Sequence, residues 1–270
     1  MKRFFKTQGI KWILILITLL YLLILLIFPN IYLIWQVFES GWKVFTASIT
    51  TRYALAALKN TAVVVAASLV ITIPFGIMTS LVLVRDKFLG QKFLNGLVDL
   101  PFAAPAAIGA FALMITYGPR GLLGPLLREM GIKIIFARPG MVLATVFVTL
   151  PFIIREMIPL LEEMGMDSEN AAHTLGASRW QTFRWVTFPN MREGILQGIA
   201  LSYARALGEF GAILVVSGNI LGVTQTLPTY IYDRYIAFEM DAAYACALFL
   251  IILSFIGRGL LELWRRRWKE

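Results

Sequence analysis

Residues 12–28, WILILITLLYLLILLIF, and 243–256, AYACALFLIILSFI, place apolar side chains on every face of any helix they form. A helix packed on a water-facing core keeps a polar stripe, whereas one that is apolar all round belongs inside a large core or in lipid. Composition decides between the two. Of 270 residues, 59% are hydrophobic and 15% charged, with a mean hydropathy of +0.75, which leaves too little polar surface for a water-soluble globule of this size. The chain is an integral membrane protein. Apolar runs approaching the roughly 20 residues that cross a bilayer predict six spans, at about 12–38, 54–84, 94–117, 139–162, 191–217 and 242–264. The expected fold is all-α and polytopic, with about six transmembrane helices in one domain covering 1–270.

The basic residues orient those spans. Lys2, Arg3, Lys6 and Lys11 precede the first, and Arg265, Arg266, Arg267 and Lys269 follow the last. Both termini are therefore expected in the cytoplasm, and the inner segments then hold more Lys and Arg than the outer ones. A formal net charge of +9 would suggest nucleic acid as the partner of a soluble protein; in a membrane protein it reflects loop placement, and no nucleic-acid partner is expected. The first apolar run is long for a signal peptide and continues into FPNIYLIWQVF without a small-residue cleavage pattern, so it is retained as a span.

Several chemistries are excluded. The lone Cys246 can form neither an internal disulfide nor a metal cluster, and His173 has no ligand-type neighbours at metal-binding spacing. The phosphate-binding pattern G-x-x-x-x-G-K-[ST] is absent, as is any arrangement suited to a catalytic triad. Energy must come from elsewhere.

Between spans four and five the apolar pattern stops at ENAAHTLGASRW, residues 169–180. Asp167 or Ser168 can cap a short helix running through Ala171 and Ala172, and Gly176 can supply the turn that ends it. Ser178 with Gln181 forms a capping-box pattern for a second short helix, and Asn190 with Glu193 forms another at the start of span five. Pro189 biases Phe188 out of the helical region, so a break between the second short helix and the span is expected. Ala171, Ala172 and Gly176 offer a face that another backbone can approach. Trp180, Phe183 and Thr187 recur at helical spacing opposite Arg179 and Arg184. Such a stripe suits a protein partner, and equally a helix lying in the membrane interface.

The residues of this loop resemble a family. Glu-Ala-Ala, three residues, Gly, nine residues, a branched aliphatic, one residue and Leu-Pro marks the membrane subunits of binding-protein-dependent ABC importers. This chain carries Asn170-Ala171-Ala172, Gly176, Val186 and Phe188-Pro189, with Glu169 adjacent to Asn170. LPFAAPAAIGAF, GLLGPLL, IIFARPGMVLATVFVTLPFIIREMIPLL, LGASRWQTFRWVTFPN and ARALGEFGAILVVSG extend the resemblance over about residues 90–220, to the W subunits of sulfate/thiosulfate permeases. GNILGVTQTLP is similar to molybdate permeases, which makes molybdate or tungstate the rival substrate.

The resemblance implies a permease subunit rather than an enzyme. Its partners would be a homologous T-type permease subunit, two ABC ATPase subunits holding ATP and Mg, and a periplasmic sulfate-binding protein. It would lie in the lipid bilayer of a bacterial inner membrane. The loop at about 163–190 would couple to the ATPase, with Glu169, Asn170, Ala171, Ala172, Gly176, Ser178, Arg179, Trp180, Phe183 and Pro189 as its candidate residues. A self-sufficient channel or secondary transporter, the competing class, would need no such loop.

Arg205 and Glu209 are one helical turn apart in span five, where ionised groups must pair or face a wet cavity. Together with Gly208 and Gly211, which would loosen the helix, they are candidates for the oxyanion pathway. A pair that only locks the span to its neighbours is the alternative. Gly194 and Gly198 predict a close helix contact. Asp99 is expected to cap span three, and Pro151 and Pro159 to bend span four. Sequence leaves the roles of Arg155 and Glu156 open.

Overall fold

The computed structural model describes residues 2–267, and side chains from residue 10 onward. The side chains of Lys2, Arg3 and Lys6, and the whole of Lys269, lie outside the described residues. Among the described residues every regular element is helical. Ile10–Ser40, Arg52–Arg85, Arg138–Met164 and Met240–Arg267 are each long and apolar enough to cross a membrane. Two bent pairs pass the same test together, Gln91–Ala103 with Ala106–Tyr117 at 111° and Arg179–Leu207 with Gly211–Ser217 at 57°. The spans number six if each bent pair is one span.

The chain forms two compact units, the first comprising the described residues up to Thr51 with Ile231–Phe249. Its α1 (Lys2–Leu22) passes through a π-turn at Leu23–Ile27 into α2 (Phe28–Ser40). The wider turn lets the Phe28 N–H bond the Leu23 carbonyl just before Pro29, which has no N–H and whose ring would clash with the carbonyl four residues back in an unbroken α-helix. Gly41, at φ +90°, ends α2 and leads into α3 (Trp42–Ile49). Val37, Phe45 and Ala245 form a small core, and the Ser40 hydroxyl donates to Asp241 Oδ1 at 2.6 Å.

The second unit contains Arg52–Tyr230 and the described residues from Leu250 on. Its centre is α4 (Arg52–Arg85), which packs along the later helix Arg138–Met164. Between them come α5 (Gln91–Ala103), α6 (Ala106–Tyr117) and α7 (Gly124–Glu129), so Arg138–Met164 is α8. The break between α5 and α6 falls at Ala104, which is extended at φ −99°, ψ 131° because Pro105 follows it. Asp99 therefore lies inside α5 and is not the cap expected from the sequence; a helix starting at Gln91 leaves it mid-element. α8 runs as one helix through Pro151 and Pro159.

α9 (Asp167–Thr174) and α10 (Arg179–Thr182) follow, then α11 (Phe188–Leu207), α12 (Gly211–Ser217), α13 (Leu227–Ile236) and α14 (Met240–Arg267). α11 fits against α8 where Gly194 and Gly198 replace larger side chains. A Cβ on Gly194 would sit 2.7 Å from Leu160 Cδ2, and one on Gly198 would sit 3.0 Å from the Ile153 Cα, as the glycine spacing predicts. Ile153, Met157, Leu161, Met191 and Ile195 fill that contact, and truncating one of them to alanine costs about 2–5 kcal/mol. Buried hydroxyls need partners there. Thr72 and Thr149 meet at 3.3 Å, and Ser202 donates to the Thr149 carbonyl at 3.3 Å.

At the other end of α8, Arg138 Nε donates to Asn60 Oδ1 at 2.9 Å. The Asn60 amide donates in turn to the carbonyls of Val223 and Gln225, both at 2.9 Å. The buried Asn60 thereby holds the irregular segment that follows α12.

Candidate functional site

Gly165, at φ +61°, turns the chain out of α8 and into α9. The residue at the N-cap of α9 is Met166, with no side-chain cap, so the expected capping by Asp167 or Ser168 is not formed; Asp167 lies in the first turn with Glu169, where acidic side chains suit the helix dipole. Gly176 then adopts φ +86°, with its N–H on the His173 carbonyl and the Ala177 N–H on the Ala172 carbonyl. The turn predicted at Gly176 is present. So is the capping box, with Gln181 N–H donating to Ser178 Oγ at 3.3 Å and Ser178 N–H donating to Gln181 Oε1 at 2.8 Å.

The break expected at Pro189 is absent. α10 continues through a π-turn at Phe183–Thr187 into α11, and the Phe188 N–H bonds the Phe183 carbonyl. As before Pro29, one extra residue in the turn removes the conflict between the proline and the preceding helix. Asn190 consequently lies within α11, and its capping box with Glu193 has no helix end to serve.

The π-turn also rephases the side chains. Thr187, placed on the outer stripe by 3.6-residue spacing, is buried and donates to Glu169 Oε1 at 2.9 Å. The outer surface carries Trp180, 70% exposed and stacked on Phe183 at 5.7 Å, and Trp185, 73% exposed with the Arg184 guanidinium 5.5 Å over its ring. An uninterrupted α-helix leaves Trp185 off the Trp180–Phe183–Thr187 stripe, and the π-turn breaks that periodicity. Asn170, Ala171, Gly176, Ser178 and Arg179 are exposed; Ala172 and Pro189 are half-buried.

Glu169 turns inward, away from Asn170. Its carboxylate meets Arg85 of α4 through Oε2–Nε at 3.2 Å and Oε1–Nη2 at 3.2 Å, while Arg85 Nη1 donates to the Leu161 carbonyl at 3.0 Å. Both side chains are largely buried. Arg85 stood out in the sequence only as a basic residue at the end of a span, and its partner lies 84 positions away.

Arg205 and Glu209 pair at 2.6 Å, as the one-turn spacing predicts. Glu209 is 1% exposed, and its Oε1 also accepts the Ala212 N–H at 2.9 Å. It thus spans the 57° break between α11 and α12, joined to both sides. Gly208 closes α11 and Gly211 opens α12, yet a Cβ at Gly211 would meet nothing within 4 Å and one at Gly208 only the Ala204 carbonyl oxygen at 3.8 Å. Packing requires glycine at neither position. A second pair joins α5 to α8: Arg155 holds Asp99 through Nε–Oδ1 at 2.7 Å and Nη2–Oδ2 at 2.6 Å, and donates to the Asn95 carbonyl at 3.2 Å. That fork assigns Arg155 a partner that spacing could not.

A helical membrane bundle with a compact, aromatic-faced insert between two spans defines a class. Residues 72–270 match the model of the binding-protein-dependent transport system inner membrane component family, and the chain belongs to that family. It is an inner-membrane transport component. Over 262 residues it is 40% identical to the sulfate transport system permease protein CysW of Synechocystis sp., covering 97% of this chain and 95% of that protein. The CysW permease of Escherichia coli K12 is 37% identical, covering 91% and 84%. A chain in the crystal structure of a bacterial alginate ABC transporter, in complex with alginate pentasaccharide-bound periplasmic protein, shares the fold with a TM-score of 0.82 at 20% identity, covering 97% and 96%.

Proposed function

We propose that the chain is one membrane subunit of an ATP-driven importer of sulfate or thiosulfate. It would pair with a T-type permease subunit, receive the anion from a periplasmic sulfate-binding protein, and dock two ATPase subunits that hold ATP and Mg. Both termini face the cytoplasm in this reading, which puts α9, α10 and the π-turn on the ATPase side. The observation that carries it is the 165–190 insert. Its backbone turns are satisfied internally, and it presents Leu175, Trp180 and Trp185 outward on a structured surface. Buried aromatic anchors carry most of the energy of protein contacts, so this surface suits a groove on a partner. The identity to the two CysW permeases supports sulfate as the cargo.

ATP-driven closure of the partner would displace the insert and tilt the attached spans between outward-open and inward-open states. The chain, its T-type partner, the ATPase and the binding protein, reconstituted in liposomes, should take up labelled sulfate only with ATP and binding protein present. Uptake of molybdate in preference to sulfate would overturn the assignment of cargo. Uptake without ATPase would overturn the class.

A further inference from the structure

α9 is joined through the backbone to α8 on one side and, through α10, to α11 on the other. α4 has no such connection, and Arg85 supplies one. Both oxygens of Glu169 are engaged: Oε1 accepts from Arg85 Nη2 at 3.2 Å and Thr187 Oγ1 at 2.9 Å, and Oε2 faces Arg85 Nε at 3.2 Å. A third bond, from Arg85 Nη1 to the Leu161 carbonyl at 3.0 Å, fixes the guanidinium to the end of α8. The group therefore touches α4, α8, α9 and the π-turn ahead of α11 at one point. With side chains only 13% and 12% exposed, Arg85 and Glu169 lie where solvent screens the pair weakly and where either charge alone is unfavourable.

We propose that Arg85, Glu169 and Thr187 form a latch that makes the coupling insert and the inner end of α4 move as one body. Resting on the reading of this chain as an ATPase-coupled permease, the latch makes Arg85 a positioning residue for coupling, acting through Glu169 rather than on the transported anion. Glu169 serves inside the subunit, and Asn170 is the neighbouring polar group left at the surface. The π-turn is part of the device, since it turns Thr187 toward Glu169.

The test uses the assembled complex with Cys246→Ala, and spin labels at Ser168→Cys on α9 and Val82→Cys on α4, both exposed positions. With the latch intact, the distance between labels stays the same in nucleotide-free and ATP-trapped states. In Arg85→Gln or Glu169→Gln it changes with nucleotide, and anion uptake per ATP hydrolysed falls about tenfold, within the range of coupling carried by such networks. The reversed pair Arg85→Glu with Glu169→Arg restores the constant distance. A distance in Glu169→Gln that responds to nucleotide no differently from the parent overturns the latch. If the charge variants do not assemble, Thr187→Val, which removes one donor and no charge, carries the same two outcomes. A parent complex that hydrolyses ATP without moving sulfate would overturn the cargo assignment instead, and the label distances would still decide the latch.

Discussion

Gly198 of α11 faces the Ile153 Cα of α8 so closely that an added Cβ would stand 3.0 Å from it. Backbone cannot give way as a flexible side chain does, so Gly198→Ala should cost about 1–3 kcal/mol through overpacking. The thermal midpoint of the detergent-solubilised complex should fall. Gly96→Ala, whose Cβ would meet nothing within 4 Å, should leave the midpoint unchanged or slightly raised. Equal effects from both would contradict the described fit of α11 on α8.

Gly176 has a different reason to be glycine. Its Cβ would have open space, but φ +86° disfavours a branched side chain by about 1–2 kcal/mol. Gly176→Val should therefore insert normally yet shift α10 relative to α9, so that ATP hydrolysis continues while uptake drops. Normal uptake at normal abundance would remove the turn from the coupling mechanism.

The π-turn makes a phase prediction. Single cysteines at 180 and 185 should cross-link to an ATPase subunit and respond to nucleotide, whereas cysteine at the buried 187 should not react. Strong reaction at 187 with none at 185 would show an unbroken α-helix in this segment. Labelling of 180 and 185 by lipid-phase probes would put the aromatic face in the membrane interface.

Removing the Glu209 charge leaves Arg205 without its carboxylate. Because Arg205 is about one-third exposed, Glu209→Gln should cost about 1–3 kcal/mol, less than for a fully buried pair. The amide oxygen can still accept the Ala212 N–H, so the break between α11 and α12 should survive. Arg205→Gln with Glu209→Gln should recover the amount of assembled complex. If Arg205 also supplies positive potential to the anion, sulfate uptake per complex stays low in the double variant. Full uptake there would make the pair purely structural.

Helices and the Ser178–Gln181 box are legible because their causes lie within a few residues, whereas the caps expected at Asp99, at Asp167 or Ser168 and at Asn190 are not formed. The all-round apolar runs predict membrane spans, and Gly176 and the Ser178–Gln181 box stand where sequence puts them. What the sequence does not reveal is set either by geometry next to a proline, where the same residues also fit another reading, or by contacts between distant residues. The break at Ala104–Pro105 competes with an equally apolar continuation on either side, so a cap at Asp99 looked sufficient. The π-turn leaves no compositional mark beyond a Phe-Pro pair that also fits a helix break, and every facing assignment after Phe183 depends on it. The partners Arg85 and Glu169 are brought together only by the packing of α4 beside the α8–α9 junction.

The π-turn fixes a count as well as a shape. An α-helix rotates 100° per residue, and the π-turn already absorbs one residue more than an α-turn holds. Inserting a further residue between Phe183 and Thr187 would therefore swing Trp180 by more than a quarter turn relative to α11, whereas deleting one would return the segment to an unbroken α-helix with Trp180 near its present bearing. Substitutions that keep the number of residues leave that angle alone. The distance along the chain from Ser178 to Pro189 is therefore a gauge length: side chains in it can vary with the partner they meet, but a further inserted residue would aim the aromatic face in another direction.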